Sequence, residues 1–386
     1  MAPTDVTYER TQSNRATTSA RIGPLAVRLS NRVLHAYRQH TRAALVGVAV
    51  LCVAGVGLSC ISQRNIVAPW KTPAVEMVWP QPPERSRIQF AGSIHSAEDL
   101  GRRSGLGRAL SGLFFGNEDT ELVRPTATAR NKAGLLVIAD PGVPTVHLFD
   151  LERGEYRRPK FKDQTLLQSP VGVAATDDGI VYVTDSAAGQ VFAFDAHGAL
   201  VARLGDGLFS RPTGIALNAA QDAIYVVDTS ANHVVVLNRK GEKIGVFGER
   251  GLLPGQFNSP TYIASTPKGY LNISDSLNFR IQTVQADGTP VSTFGEIGDG
   301  AGAFTRPKGV ASDPLGNLFV VDGAFDNVQI FDSEGALLLA FGEAGIGPGE
   351  FCLPVGICID SDNLIWVADS YNRRVLVFRQ MEAAGA

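Results

Sequence analysis

One phrase is written three times in this chain: FGERGLLPGQF at 247–257, FGEIGDGAGAF at 294–304 and FGEAGIGPGEF at 341–351. The copies start 47 residues apart, from Phe247 to Phe294 and from Phe294 to Phe341. A fixed period of this length marks a repeat architecture, in which each unit is too small to bury its own apolar faces and must stack on its neighbours. A single run such as GIGPGE would suggest a phosphate-cradling loop. Three copies in register point to a structural link instead.

Aligning the chain on this phrase exposes six units. Each opens with a proline (Pro125, Pro170, Pro212, Pro260, Pro307, Pro354) and carries an aspartate 15 or 16 residues later (Asp140, Asp185, Asp228, Asp275, Asp322, Asp369). Nine residues beyond each aspartate stands an apolar residue: Phe149, Phe194, Leu237, Val284, Phe331 and Phe378. The fifth unit divides into GVASD, a PLGN turn, LFVVD, VQIFD, an SEG turn and ALLLAFG. Short runs rich in Val, Ile, Leu and Phe, broken by Gly, Asn and Asp, read as strands joined by hairpins. Four antiparallel strands repeated six times predict an all-β fold, a six-bladed β-propeller over residues 122–380. The repeated phrase then links the outer strand of one blade to the inner strand of the next. Its glycines supply positive-φ turns and its phenylalanines pack between blades. The sixth unit ends at VLVFRQ (375–380) without an outer strand, and RIQFAGSI at 87–94 resembles the missing one. The N-terminal side of the domain is expected to close the ring and leave no open sheet edge.

The rest of the chain is organised differently. Residues 1–42 hold seven Arg against Asp5 and Glu9, a charge of +5, which leaves −8 on the remainder of a chain whose net charge is −3. Residues 43–62 carry no charge over 20 positions, long enough for a helix that spans a bilayer. With the arginines before it, this segment is expected to be a transmembrane signal anchor, with 1–42 as a cytoplasmic tail and the propeller on the extracytoplasmic, periplasmic side of the inner membrane. A cleaved signal peptide, or a lipoprotein attached through Cys60, is the second choice. Residues 63–86 hold five prolines after position 68 and read as a Pro-rich linker. Residues 87–121 hold the closing strand and a short helical segment at 96–115 with Ser96 as its cap, and 381–386 form a tail. Cys352 and Cys358 are too far apart along an extended segment for a disulfide and are expected to be free thiols.

The pattern P-x-G-I-A followed by I-Y-V-x-D-S/T-x-N-x-R-V resembles the NHL repeat. GIALNAAQDAIYVVDTSANHVVVL (214–237) and GICIDSDNLIWVADSYNRRVLVF (356–378) carry it best, and all six units match in part. The first departs most, with Ala127 where most units have Gly and no Asn after Asp140. The whole chain is similar to bacterial membrane-anchored NHL propellers.

In a blade of this kind the residues before each proline and those after each aspartate share one rim. Arg124, Arg211 and Arg306 precede prolines, and His233, Arg280 and Arg374 stand five residues past aspartates. Lys308, Tyr262 and Tyr371 lie nearby, and together these nine residues form a candidate ligand-binding rim, polar and basic on an acidic body. Two of them break the repeat: Tyr262 replaces a glycine, and Lys308 follows a proline where other units have Thr or Val. The six aspartates read as turn fasteners rather than chemistry.

The resemblance implies three functions. The first is a binding scaffold for a protein or glycan outside the cytoplasm. The second is a hydrolase or lyase, since gluconolactonase-type hydrolases and amidating lyases use related propellers. The third, RNA binding, fits poorly with the acidic body, and no nucleic-acid partner is expected. His147, His197 and His233 are too scattered along the repeats to predict a metal cluster. No catalytic residue and no cofactor is assigned, with a channel calcium held by carboxylates and carbonyls left open.

Overall fold

The computed structural model describes residues 76–100, 120–159 and 167–381. The basic tail at 1–42, the apolar run at 43–62 with Cys60, the linker up to residue 75, most of the segment expected to be helical and the final residues 382–386 lie outside them. Among the described residues, no helix is long and apolar enough to cross a membrane.

Six antiparallel sheets form a six-bladed β-propeller. Blade one comprises Ala127–Arg130, Leu135–Asp140, Thr145–Asp150 and Glu155–Arg157. Blades two to five repeat this plan, their inner strands beginning at Pro170, Pro212, Pro260 and Pro307. Each inner strand packs against the next, and Pro354–Ile359 of blade six returns to Ala127–Arg130 of blade one. The second strand of every blade, such as Leu318–Asp322, is buried along its whole length, which is why these segments read as unbroken apolar runs. Outer strands alternate instead, as at Lys243–Phe247.

The core lies between blades. Six apolar clusters each join one adjacent pair of blades, and the last phenylalanine of each linking phrase (Phe257, Phe304, Phe351) is fully buried in one of them. Facing it is a glycine that no other residue can replace. Gly248, Gly295 and Gly342 have φ of +91°, +93° and +85°, and a Cβ on them would lie 2.6, 2.4 and 2.2 Å from the ring of that phenylalanine. Left-handed backbone and lack of space select glycine twice over. The phrase is the link the repeat pattern predicts.

Ring closure follows the expected strand. Here Ile88–Ile94 pairs antiparallel with Arg374–Gln380, from Ile88 opposite Gln380 to Ile94 opposite Val375. A further strand, Val78–Trp79, pairs with it and makes blade six five-stranded. The Pro-rich segment read as a spacer to residue 86 thus ends inside the propeller. Trp79 lies 5.8 Å from Phe378 and 6.0 Å from Phe341, ring centre to ring centre, and covers the seam between blades five and six. After the closing strand, Ala97–Leu100 forms a four-residue 3-10 helix, with the Ser96 hydroxyl accepting the Glu98 N–H.

Candidate basic site at the channel mouth

Strand register places the opening prolines, the aspartates and the linking phrases at one end of the blades. Pro170 pairs with Asp185, Asp185 with Gln190, and Phe247 with Val234. The nine predicted rim residues share this face, but the structure divides them into three groups.

The first group is structural. The six aspartates are buried and accept the N–H groups just before the prolines: Asp228, for example, takes Ser210 at 2.6 Å and Arg211 at 3.0 Å. Each fastens the inner strand to its neighbour, as expected. In blades four and six this staple is rearranged. The N–H groups of Ser259 and Leu353 turn to Asn232 and Asp326 of the preceding blade, at 2.8 and 2.6 Å. The freed carboxylate oxygen then accepts an arginine Nε, Arg280 on Asp275 at 2.8 Å and Arg374 on Asp369 at 2.7 Å. The remaining nitrogens of Arg280 donate to the carbonyls of Leu252, Leu253 and Gln256, and those of Arg374 to Ile346, Gly347 and Glu350. Both guanidinium groups are therefore committed to clamping the linking phrase and are not presented to a ligand. In blade one His147 takes the comparable place, its Nδ1 2.9 Å from the Tyr156 hydroxyl and its Nε2 3.6 Å from Asp140. Burial raises the Asp140 pKa, but His147 and the N–H groups of Val123 and Arg124 together bring it below the usual carboxylate value.

The second group stands at the periphery. Tyr371 is 64% exposed, and its ring is free to contact a partner. His233 is half-buried, with Nε2 unpartnered among the described residues. Burial, aided by Lys243 and opposed by Asp228, pushes its pKa down and keeps the ring neutral at pH 7.

The third group forms the candidate site. Arg124, Arg211 and Arg306 give their backbone N–H groups to aspartates and leave their side chains exposed. Lys308, on the same rim, is half-buried, and its ammonium has no hydrogen-bond or ion-pair partner among the described residues. Its pKa is pushed down to about 8, first by burial and then by the charges of Arg306 and Arg211, against a smaller upward pull from Asp322. The like charges of Arg306 and Arg211, from blades five and three, thus outweigh the nearby Asp322 carboxylate.

Gly323 and Tyr262, the ninth of the predicted rim residues, also shape this corner. Blades two, three and four follow their aspartate with Ser186, Thr229 or Ser276, whose hydroxyls donate to the next blade's proline carbonyl at 2.6, 2.7 and 3.0 Å. Blade five has Gly323, and a Cβ there would meet the Pro354 carbonyl at 3.0 Å and Lys308 Cγ at 3.5 Å. The missing side chain spares the Pro354 carbonyl a tight contact, and the lysine stem passes at ordinary contact distance. This glycine was not singled out from the sequence, although comparison of the residues following the aspartates exposes it. Tyr262 comes from blade four, and its hydroxyl donates to the Thr126 carbonyl of blade one at 3.0 Å. Blades one and four are opposite in a ring of six, so the tyrosine crosses the channel just below the rim. Burial raises its pKa further above the ordinary tyrosine value. Among the described residues, no three His, Cys, Asp or Glu side chains converge on a metal position. Cys352 and Cys358 are free thiols, and burial pushes Cys358 up to about 12.

The family model for the NHL repeat matches residues 167–194, 209–237 and 351–378, which are blades two, three and six. The chain carries NHL repeats. An alignment over 160 residues is 30% identical to peptidylglycine alpha-amidating monooxygenase from Rattus norvegicus, covering 37% of this chain and 16% of that protein. Among solved structures, a structural-genomics protein from Bacteroides thetaiotaomicron superposes with a TM-score of 0.54 at 17% identity, over 68% of this chain and 70% of that one. A streptogramin B lyase superposes with a TM-score of 0.52 at 14% identity, over 69% of this chain and 96% of that one. Likeness at these identities is likeness of fold.

Proposed function

We propose that this NHL propeller is a membrane-tethered, extracytoplasmic binding scaffold whose basic channel mouth captures an anionic group on a protein or glycan. Lys308 carries the proposal. A half-buried ammonium without an acceptor, crowded by Arg211 and Arg306, costs stability in the free protein and gains its counter-charge only when an anion arrives. Arg124 lies on the same rim, and the acidic body directs anions towards this end. The tether is supported by the uncharged run at 43–62 and the seven arginines before it.

The test uses the full chain in membranes, with a glutamate-rich peptide and a uronate oligosaccharide as probes. Binding should weaken with salt, because exposed charges are screened over about 8 Å at physiological ionic strength. It should also weaken as pH rises through about 8, the value at which Lys308 loses its proton. Changing Arg124, Arg211 and Arg306 to Ser should reduce binding and preserve the fold; unchanged binding would end the proposal. For the tether, protease added to spheroplasts should digest the propeller, and full protection would reverse the assigned topology.

A second reading, a lyase or hydrolase working at the same mouth, is supported by the similarity to the amidating monooxygenase. A lactonase and amidating-lyase screen on the purified chain, with and without added divalent metal, separates it from the scaffold.

A further inference from the structure

A second cavity lies away from the basic mouth, at the other end of blades five and six. It is a half-open hollow of about 350 Å³ between the turn leading into the closing strand and the outer hairpin of blade five. That volume is at the lower end of the roughly 300–1,000 Å³ common for small-molecule sites. Ile88, Ile330, Leu338, Leu339 and Met381 supply an apolar floor, and Leu315 stands at the edge, 82% exposed. An apolar side chain left that open over an apolar cavity is surface that a ligand would cover.

The polar lining is one-sided. Arg85 and Arg87 both border the cavity, and neither guanidinium has an ion-pair partner among the described residues. No acidic side chain lines it. The nearest buried carboxylate, Asp313, is occupied by the amides of Asn317 at 2.8 Å and Gln380 at 2.7 Å. The Gln380 bond joins blade six to blade five, and the Asn317 bond holds the Asp313 turn within blade five. The backbone holds the arginines in place as well, since the Arg87 N–H donates to the Trp79 carbonyl at 2.7 Å and its carbonyl accepts from Met381 at 2.8 Å.

We propose that this cavity binds a single amphipathic anion, with its apolar body on the Ile88–Ile330–Leu338 floor and its carboxylate or phosphate on Arg85 and Arg87. Charge complementarity chooses the head: Arg85 and Arg87 are exposed cations at the cavity edge, and a guanidinium binds a planar or tetrahedral oxyanion through paired N–H donors. The floor chooses the body. The bounded volume favours one free molecule over a membrane surface. The site depends on the closing turn, because Arg85, Arg87 and Ile88 all belong to it, and it is independent of the basic mouth.

The probe is a decanoate bearing a photoactivatable diazirine, applied to the full chain in membranes, with labelled peptides mapped by mass spectrometry. Labelling should saturate, fall on peptides containing Leu338, Leu339 or Met381, and be competed by decanoate far better than by decanol. Arg85→Gln with Arg87→Gln should raise the half-saturating concentration about tenfold or more, the effect of losing charge-assisted hydrogen bonds. Leu338→Asp, at an exposed position that the fold tolerates, should abolish labelling. The proposal fails if decanol competes as well as decanoate, or if the double arginine variant is labelled as before. It also fails if phosphatidylglycerol vesicles displace the probe while free decanoate does not, because the arginines would then be a lipid-surface contact.

Discussion

Replacing Lys308 with Met should make the protein more stable, an uncommon direction for a change in the interior of a fold. The lysine pKa falls from the ordinary 10.5 to about 8. At about 1.36 kcal/mol per tenfold change in proton affinity, that fall corresponds to about 3 kcal/mol held against the charged form. Partial exposure at the rim screens much of this, leaving about 1–2 kcal/mol. Met keeps most of the apolar stem over Gly323 and removes the charge. A gain of about 2–4 °C in melting temperature per kcal/mol is expected by scanning fluorimetry at pH 7. The sign with pH is fixed. Between about 8 and 10.5 the unfolded lysine holds more protons than the folded one, so wild-type stability rises with pH across that window. The advantage of the variant should therefore be largest at pH 7 and shrink towards pH 10. A variant that melts lower than wild type at pH 7, or an advantage constant with pH, would show that the ammonium has a partner and would remove the physical basis for an anion site.

Other changes probe the frame around that site. Arg374→Ala takes the charged partner from buried Asp369, which keeps only the Cys352 N–H and the Asn372 amide, and removes the arginine donors from three carbonyls of the linking phrase; it should cost about 3–5 kcal/mol in urea unfolding. Arg374→Lys should recover little of it, since one ammonium cannot span the same acceptors. Tyr262→Phe removes the bond to the Thr126 carbonyl and should cost about 1 kcal/mol in the same assay. A chain beginning at residue 95 lacks both Val78–Trp79 and Ile88–Ile94 and should aggregate, whereas one beginning at residue 76 should remain monomeric by light scattering. Equal melting of the two would contradict the closure.

The repeat was legible because its residues answer to local rules. Glycine at positive φ, proline opening a strand and aspartate fastening a turn recur in register, and even the distant closing strand keeps the apolar rhythm of the outer strands it replaces. Val78–Trp79 was hidden because a two-residue strand among prolines has no period of its own and forms only on a partner already in place. Arg280 and Arg374 were misleading for a related reason. Sequence placed them on the rim, but the carbonyls that claim their nitrogens come from loops about 24–28 residues earlier, folded under them. Lys308 was visible as a departure from its column, while its repulsive neighbour Arg211 arrives from another blade.

The closing sheet also sets a timetable. Ile88–Ile94 is made long before Arg374–Gln380, the strand it pairs with. At about 5–20 residues per second of synthesis, an interval of some 280 residues leaves it waiting about 15–60 s. Throughout that time the edge of the strand that will meet Arg374–Gln380 has no partner, and every completed blade adds to a row that cannot yet become a ring. The moment of greatest exposure therefore comes just before the last blade is finished, when nearly all of the propeller exists. A chain stopped within blade six would carry two open edges, and a neighbouring copy offers the same strand to either of them.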